Sequence, residues 1–204
     1  MRLKARWMGL FEPFAANCNL ESGLDELVGR YAESHRHYHN LDHISGCLDA
    51  FDRIAGRLAD PFAIETAIWF HDVVYDPKSG KNEERSAAYA NAFLASAGVD
   101  PANISEIGRL IRLTRHPSNP VTDDEKYLID IDLSTLGAER EQYDRYEEMI
   151  RKEYAYVPNL LYKKGRRELL KAFLNCKPIY RTLYFRERLE VQARSNIERA
   201  LKKL

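Results

Sequence analysis

The stretch "AIWFHDVVYD", Ala67 to Asp76, decides how this chain is read. Seven of its ten residues are apolar or aromatic, the composition of a folded interior. A histidine and an aspartate nevertheless stand side by side in it, His71 and Asp72. Upstream, Asp60-Pro61 has the form of an N-cap followed by proline at the first helical position, so the helix holding the stretch is expected to open there. Pro77, Ser79 and Gly80 are expected to end it. On such a helix His71 shares a stripe with Ile64, Ala67 and Ile68, and Asp72 lies above Ile68 and Trp69. Both side chains then leave a helix that is apolar on nearly every face. An ionised carboxylate buried without a partner is costly and usually neutralises instead. A nearby cation removes the difficulty, and the pair alone leaves two open: an arginine or a metal ion.

Helix signals extend outward from this stretch along the whole chain, and strand signals are nearly absent. Ser22 with Asp25 has the spacing of a capping box before "LDELVGRYAES". Asn40 can cap "LDHISGCLDAFDRIAGRL", where Leu41, Ile44, Leu48, Phe51, Ala55 and Leu58 keep a three-four spacing. Asn82 can cap "EERSAAYANAFLASAG", closing at Gly98. Asp100-Pro101 opens another helix that runs to His116-Pro117. Asp123 or Asp124 begins "EKYLIDIDLSTLG", which stops at Gly137. Longer helices follow, broken near Pro158 and Pro178, with seven of the twelve tyrosines after residue 140 to pack them together. The expectation is a single all-α domain over residues 1–204, a helical bundle with a C-terminal helical extension from about residue 138.

The totals narrow the function classes. Lys+Arg and Asp+Glu balance at 31 each, which argues against bulk nucleic-acid binding through general charge. Cys18, Cys47 and Cys176 are odd in number, far apart and without CxxC spacing, a pattern that fits a reducing, cytoplasmic setting rather than a disulfide framework. The N-terminal run is broken by Glu12 and Pro13 and does not read as a signal peptide. No uncharged apolar run approaches the ~20 residues of a membrane span.

A metal reading of His71-Asp72 requires further ligands on inward helical faces. "RHYHNLDHI", Arg36 to Ile44, holds His37, His39 and His43. His43 lies within the helix capped by Asn40, whereas His39 precedes the cap; ligands on rigid elements hold geometry better, which favours His43. In "LIDIDLSTLG", Asp132 sits on the apolar stripe with Leu128 and Leu136, and Asp130 on the more polar side, a supporting position. Whether His39 or His43, and Asp130 or Asp132, is the ligand stays open on these grounds. The set His43, His71, Asp72 and Asp132, in that order, resembles the HD superfamily of metal-dependent phosphohydrolases. "YHNLDHI", "WFHDVVYD", "NEERSA", "DIDLSTLG" and "RKEYAYV" together resemble an uncharacterised bacterial branch of predicted HD phosphohydrolases, over most of the chain. The resemblance implies a helical fold, a divalent metal on those four residues, and cleavage of phosphate esters or anhydrides, often in nucleotides.

Two imidazoles and two carboxylates suit Mn²⁺, Fe²⁺, Co²⁺, Ni²⁺ or Zn²⁺ better than Mg²⁺, which favours oxygen. A water on such an ion can have its pKa lowered toward about 7, giving a hydroxide nucleophile that Asp72 can orient. Glu83, at the start of a helix, and His116, alone between the doublet and Asp132, are the further expected catalytic groups. A lone His116, where a pair would accompany a second ion, leads to the expectation of one tight metal. Arg36, His39, Asp76 and Arg85 are the expected substrate contacts, with Lys78, Lys81 and Arg115 nearby, because arginine grips phosphate bidentately. The expected partner is a small phosphorylated substrate, a nucleotide by preference, and a homodimer is compatible with the sequence. Rival readings are a di-iron oxygenase, disfavoured by the shortage of histidines between Asp72 and Asp132, and a non-catalytic module stapled by its metal.

Overall fold

The computed structural model describes residues 2–204. In chain order its helices are α1 (Arg2–Phe11), α2 (Leu20–Tyr31), α3 (Leu41–Asp52), α4 (Pro61–Phe70), α5 (Asn82–Ser96), α6 (Pro101–Leu113), α7 (Asp123–Asp132), α8 (Arg140–Glu153), α9 (Asn159–Asn175) and α10 (Leu183–Lys203). Short 3-10 turns lie at Glu12–Phe14, Ala55–Arg57 and Leu133–Gly137, and no strand occurs among the described residues. The all-α expectation holds. No helix among these residues is long and apolar enough to cross a membrane.

The caps show where local sequence controls the helix ends. Asp60 accepts from the Ala63 N–H at 2.9 Å, with Pro61 in the first helical position of α4. Asn40 accepts from the N–H groups of Asp42 and His43 at the start of α3, and Asp100 caps α6. Gly98, at φ 78°, takes the left-handed conformation that closes α5. Three expected starts move. α2 opens at Asn19, which accepts from Ser22 N, three residues before the expected box. α7 opens at Thr122 in a true capping box with Glu125, rather than at Asp123 or Asp124. Asn82 does not cap α5; its side chain exchanges hydrogen bonds with the backbone of Asp76 at 2.9 and 3.1 Å, fastening the loop before the helix.

One apolar core runs from Trp7 on α1 to Ala200 on α10. α4 lies in its middle: Ala63, Ile64, Ala67, Ile68, Trp69 and Phe70 are all at most 2% exposed, so this helix is buried on nearly every face, as its sequence implied. Tyr143, Leu170, Tyr180, Phe185 and Ile197 join the same core, so α8 to α10 pack back onto it. Gly137 permits the closest approach: a Cβ there would meet the Leu189 Cβ at 2.5 Å and its carbonyl oxygen at 2.9 Å. Asn196 completes the junction by donating to the carbonyls of Leu136 and Ala138 at 3.0 and 2.8 Å.

Asp130 also belongs to this junction. It is fully buried, not on a polar side as its spacing suggested, and it takes no part in supporting a metal group. Its carboxylate accepts from the Arg181 and Thr182 N–H groups and the Thr182 hydroxyl, each at 2.7 Å, tying α7 to the start of α10. Asp130→Ala strands two backbone donors and is expected to lower the unfolding free energy by about 3–4 kcal/mol. Urea denaturation measures this; a loss under about 1 kcal/mol would show that the junction does not depend on the carboxylate.

Candidate metal centre

The helix that opens at Asp60 stops at Phe70, not at Asp76 as expected, and this early stop builds the site. His71 is its C-cap, with its N–H on the Ala67 carbonyl at 2.9 Å. The last carbonyls of a helix lack intrahelical partners. Here side chains supply them. Tyr31 donates to Trp69 O at 3.0 Å. Arg36, with its side chain wholly buried, donates to Asp72 O at 2.5 Å and Val73 O at 3.0 Å. Ser86 serves both backbone groups of Val74, and His35 donates to Tyr75 O at 2.8 Å. With those carbonyls satisfied from outside, residues 71–76 need no helix of their own.

The turn brings His71 and Asp72 to one point. His71 Nδ1 lies 2.9 Å from Ile68 O. A carbonyl can only accept, so Nδ1 carries a proton and Nε2 is the ring nitrogen that faces the cavity. His71 Nε2 stands 3.2 Å from His43 Nε2, 3.2 Å from Asp72 Oδ2 and 3.5 Å from Asp132 Oδ1. His43 Nε2 is 3.3 Å from Asp132 Oδ1 and 3.8 Å from Asp72 Oδ2. Two donors each about 2.1 Å from a common ion lie about 3.0–3.4 Å apart for angles between the octahedral and tetrahedral values. The observed separations cluster around that range. Among the described residues no lysine or arginine pairs with these carboxylates, so the arginine alternative for the opening pair is not what this fold adopts. His43, His71 and Asp132 form the group among the described residues that can hold a metal ion.

Electrostatics act in the same direction. Burial opposes charge on His71, yet Asp72 and Asp132 hold its imidazole well above the ordinary value. Burial likewise opposes ionisation of Asp72, but His71, then His39 and His43, keep its carboxyl below the usual range. Burial opposes ionisation of Asp132 too, but the imidazoles of His116, His43 and His71 hold its carboxyl well below the usual range. Anionic and nitrogen acceptors converge on one point, which a cation or shared protons must occupy.

Around the group a cavity of about 600 Å³ opens between the turn after α4, the end of α7, α8 and α9. His39, Glu83 and His116 are on its wall. His116 Nε2 lies 3.3 Å from Asp132 Oδ2, so Asp132 turns one oxygen to the histidine pair and the other to His116. His39 is held from two sides: its Nδ1 is 2.6 Å from Glu153 Oε2, and its ring stacks on Tyr75 at 4.2 Å.

Three of the expected substrate contacts are engaged elsewhere or lie away from the cavity wall. Arg36 directs four of its five N–H groups at Glu33 and at backbone carbonyls, and its side chain is wholly buried. Asp76 accepts from Lys78 N at 2.9 Å, shaping the loop, and it is off the cavity wall, as is the exposed Arg85. Conversely, Glu153 emerges without any role having been assigned to it. It accepts from the N–H groups of Tyr38 and His39, from Tyr75 OH and from the His39 ring, and so anchors the segment before α3. Its one sequence signal was the "RKEYAYV" stretch.

Comparison with family models, with curated proteins and with solved structures yields no match to this chain.

Two measurements test this centre. Mn²⁺ or Ni²⁺ at a hundred times its dissociation constant should stabilise the fold by about 2.7 kcal/mol. For a chain of this size that is about 5–10 °C in melting temperature. The shift should vanish in His71→Ala. The second concerns acid. Burial pushes the Glu153 carboxyl up, but the His39 ring and the two backbone N–H groups hold it down, from 4.5 to about 2. A depressed carboxylate stabilises the fold above its unfolded value, and that contribution is lost as pH falls through its folded value. Between about pH 5 and pH 2 the native chain should therefore lose about 3 kcal/mol from this group, a loss that Glu153→Gln should not show in denaturant titrations.

Proposed function

We propose that this chain is a metal-dependent phosphohydrolase of the HD type, acting on a small phosphorylated molecule such as a nucleotide. The observation that carries the reading is the meeting of two imidazole nitrogens and an Asp132 oxygen at 3.2–3.5 Å on the wall of a ligand-sized cavity, with Asp72 Oδ2 at 3.2 Å from His71 and 3.8 Å from His43 and no lysine or arginine among the described residues paired with these carboxylates. His43, His71, Asp72 and Asp132 would hold one divalent ion, with Mn²⁺, Fe²⁺, Co²⁺, Ni²⁺ or Zn²⁺ suited to the mixed nitrogen-oxygen donors. When bound, such an ion polarises a phosphoryl oxygen and acidifies a water.

The chain's own groups would do the rest. Asp72 presents Oδ2 to His71, and its Oδ1 can take a hydrogen bond from the attacking water and direct it. His71 is locked in one tautomer by Ile68 O, so its Nε2 stays a ligand rather than a proton donor. His116 steadies Asp132 through Nε2, and a proton on its Nδ1 can pass to the leaving oxygen. Glu83, on the same wall, is a second acid or base within the cavity.

Release of phosphate or pyrophosphate from a panel of nucleotides and simple phosphate esters, with Mn²⁺, Co²⁺ or Ni²⁺ present, tests the proposal. Asp72→Ala should lower kcat by about a thousandfold or more, since it removes both a ligand and the group that orients the water. Turnover that survives this substitution at the native rate would refute the assignment.

A further inference from the structure

The cavity has two unlike ends. One holds the histidines and carboxylates. The other is apolar and comes largely from α8 and α9, with Ile150, Leu161 and Leu169 on its walls, joined by Leu136 and Val157 from the segments beside them. On α9, Leu161, Gly165 and Leu169 are spaced by four residues and so form one stripe, and all three line the cavity. Leu161 is 59% exposed and Leu169 41%, although both are large apolar side chains on the cavity wall. Gly165 lies between them in mid-helix, where glycine costs about 1 kcal/mol relative to alanine. A Cβ there would meet nothing within 4 Å, so neighbouring protein atoms do not require the glycine.

Cations are scarce on this wall. Arg166 is its one lysine or arginine among the described residues. Its guanidinium is held by both oxygens of Glu147, at 2.7 and 3.1 Å, and lies over the Tyr146 ring. At the polar end, two carboxylates would already offset a divalent ion. A chain of phosphates would therefore meet apolar side chains and an occupied arginine, whereas one phosphoryl group can be accommodated beside the histidines.

Building on the hydrolase reading, we propose that the substrate is a phosphomonoester with a single phosphoryl group and a flat or apolar organic body, which lies along Leu161, Gly165 and Leu169. These three residues then set specificity by contact with the organic body. They take no part in the chemistry.

Two alkyl esters of similar leaving-group acidity separate the two ends of the cavity: 2-(1-naphthyl)ethyl phosphate and glycerol 3-phosphate, with ATP as the polyphosphate. In the Mn²⁺-loaded full chain, KM for the naphthyl ester should be at least about tenfold below that for glycerol 3-phosphate, and ATP should be the poorest substrate by kcat/KM. Gly165→Leu should raise KM for the naphthyl ester about tenfold. Gly9→Leu, at another open helical glycine far from the cavity, should leave it unchanged. Equal KM values, a preference for ATP, or equal effects of the two substitutions would overturn the proposal while leaving the hydrolase reading intact. If none of the three compounds releases phosphate, the hydrolase reading fails by itself. Calorimetric binding of 2-(1-naphthyl)ethylphosphonate then decides the wall: binding weakened about tenfold in Gly165→Leu sustains it, and no binding, or binding indifferent to the substitution, removes it.

Discussion

A buried guanidinium holds this structure's central turn. Arg36 donates to the carbonyls of Asp72 and Val73, so the turn that follows α4 leaves neither without a partner. Stopping at Phe70 changes the relation between the two residues that follow. On a continuous helix, neighbours diverge by about 100° around the axis. In the turn, His71 Nε2 and Asp72 Oδ2 come to 3.2 Å. A cation placed to serve backbone oxygens thus decides where an imidazole and a carboxylate meet, without itself entering the cluster.

The remaining members arrive by equally local means. Asn40 sets the first turn of α3 and with it His43. The capping box at Thr122 starts α7, and Asp124 accepts from Ala59 and Asp60 N–H groups at 3.0 and 2.9 Å, tying that helix to the start of α4. Asp132 is the last residue of α7, so its side chain projects from a helix end anchored at both sides: Asp130 binds it to the start of α10 two residues earlier. Glu153 does for His39 what Asp130 does for α10, accepting several hydrogen bonds at a position where water is scarce. Buried carboxylates of this kind persist because every lone pair that faces a donor is used.

The cavity divides along the chain. Its polar end comes from residues before 138, and most of its apolar end from α8 and α9. The C-terminal helices complete the core and also wall the site, so the expected extension from about residue 138 is structurally part of the same body. Under the proposed function, the first part carries the chemistry and the second selects what is presented to it.

Sequence alone determined the all-helical class, the starts of α3, α4 and α6, and the burial of α4, because apolar spacing and caps act over a few residues. It also singled out His43, His71, Asp72 and Asp132 for comparison with one another. Tertiary structure alone decided that α4 ends at Phe70, that Arg36 faces carbonyls rather than a ligand, and that Asp130 and Asp132 have opposite surroundings despite being two residues apart. Those outcomes depend on partners distant in sequence, from Tyr31 and Ser86 to Thr182 and Glu153. A hydrogen bond between such residues leaves no spacing to read, because its geometry exists only once the helices have packed.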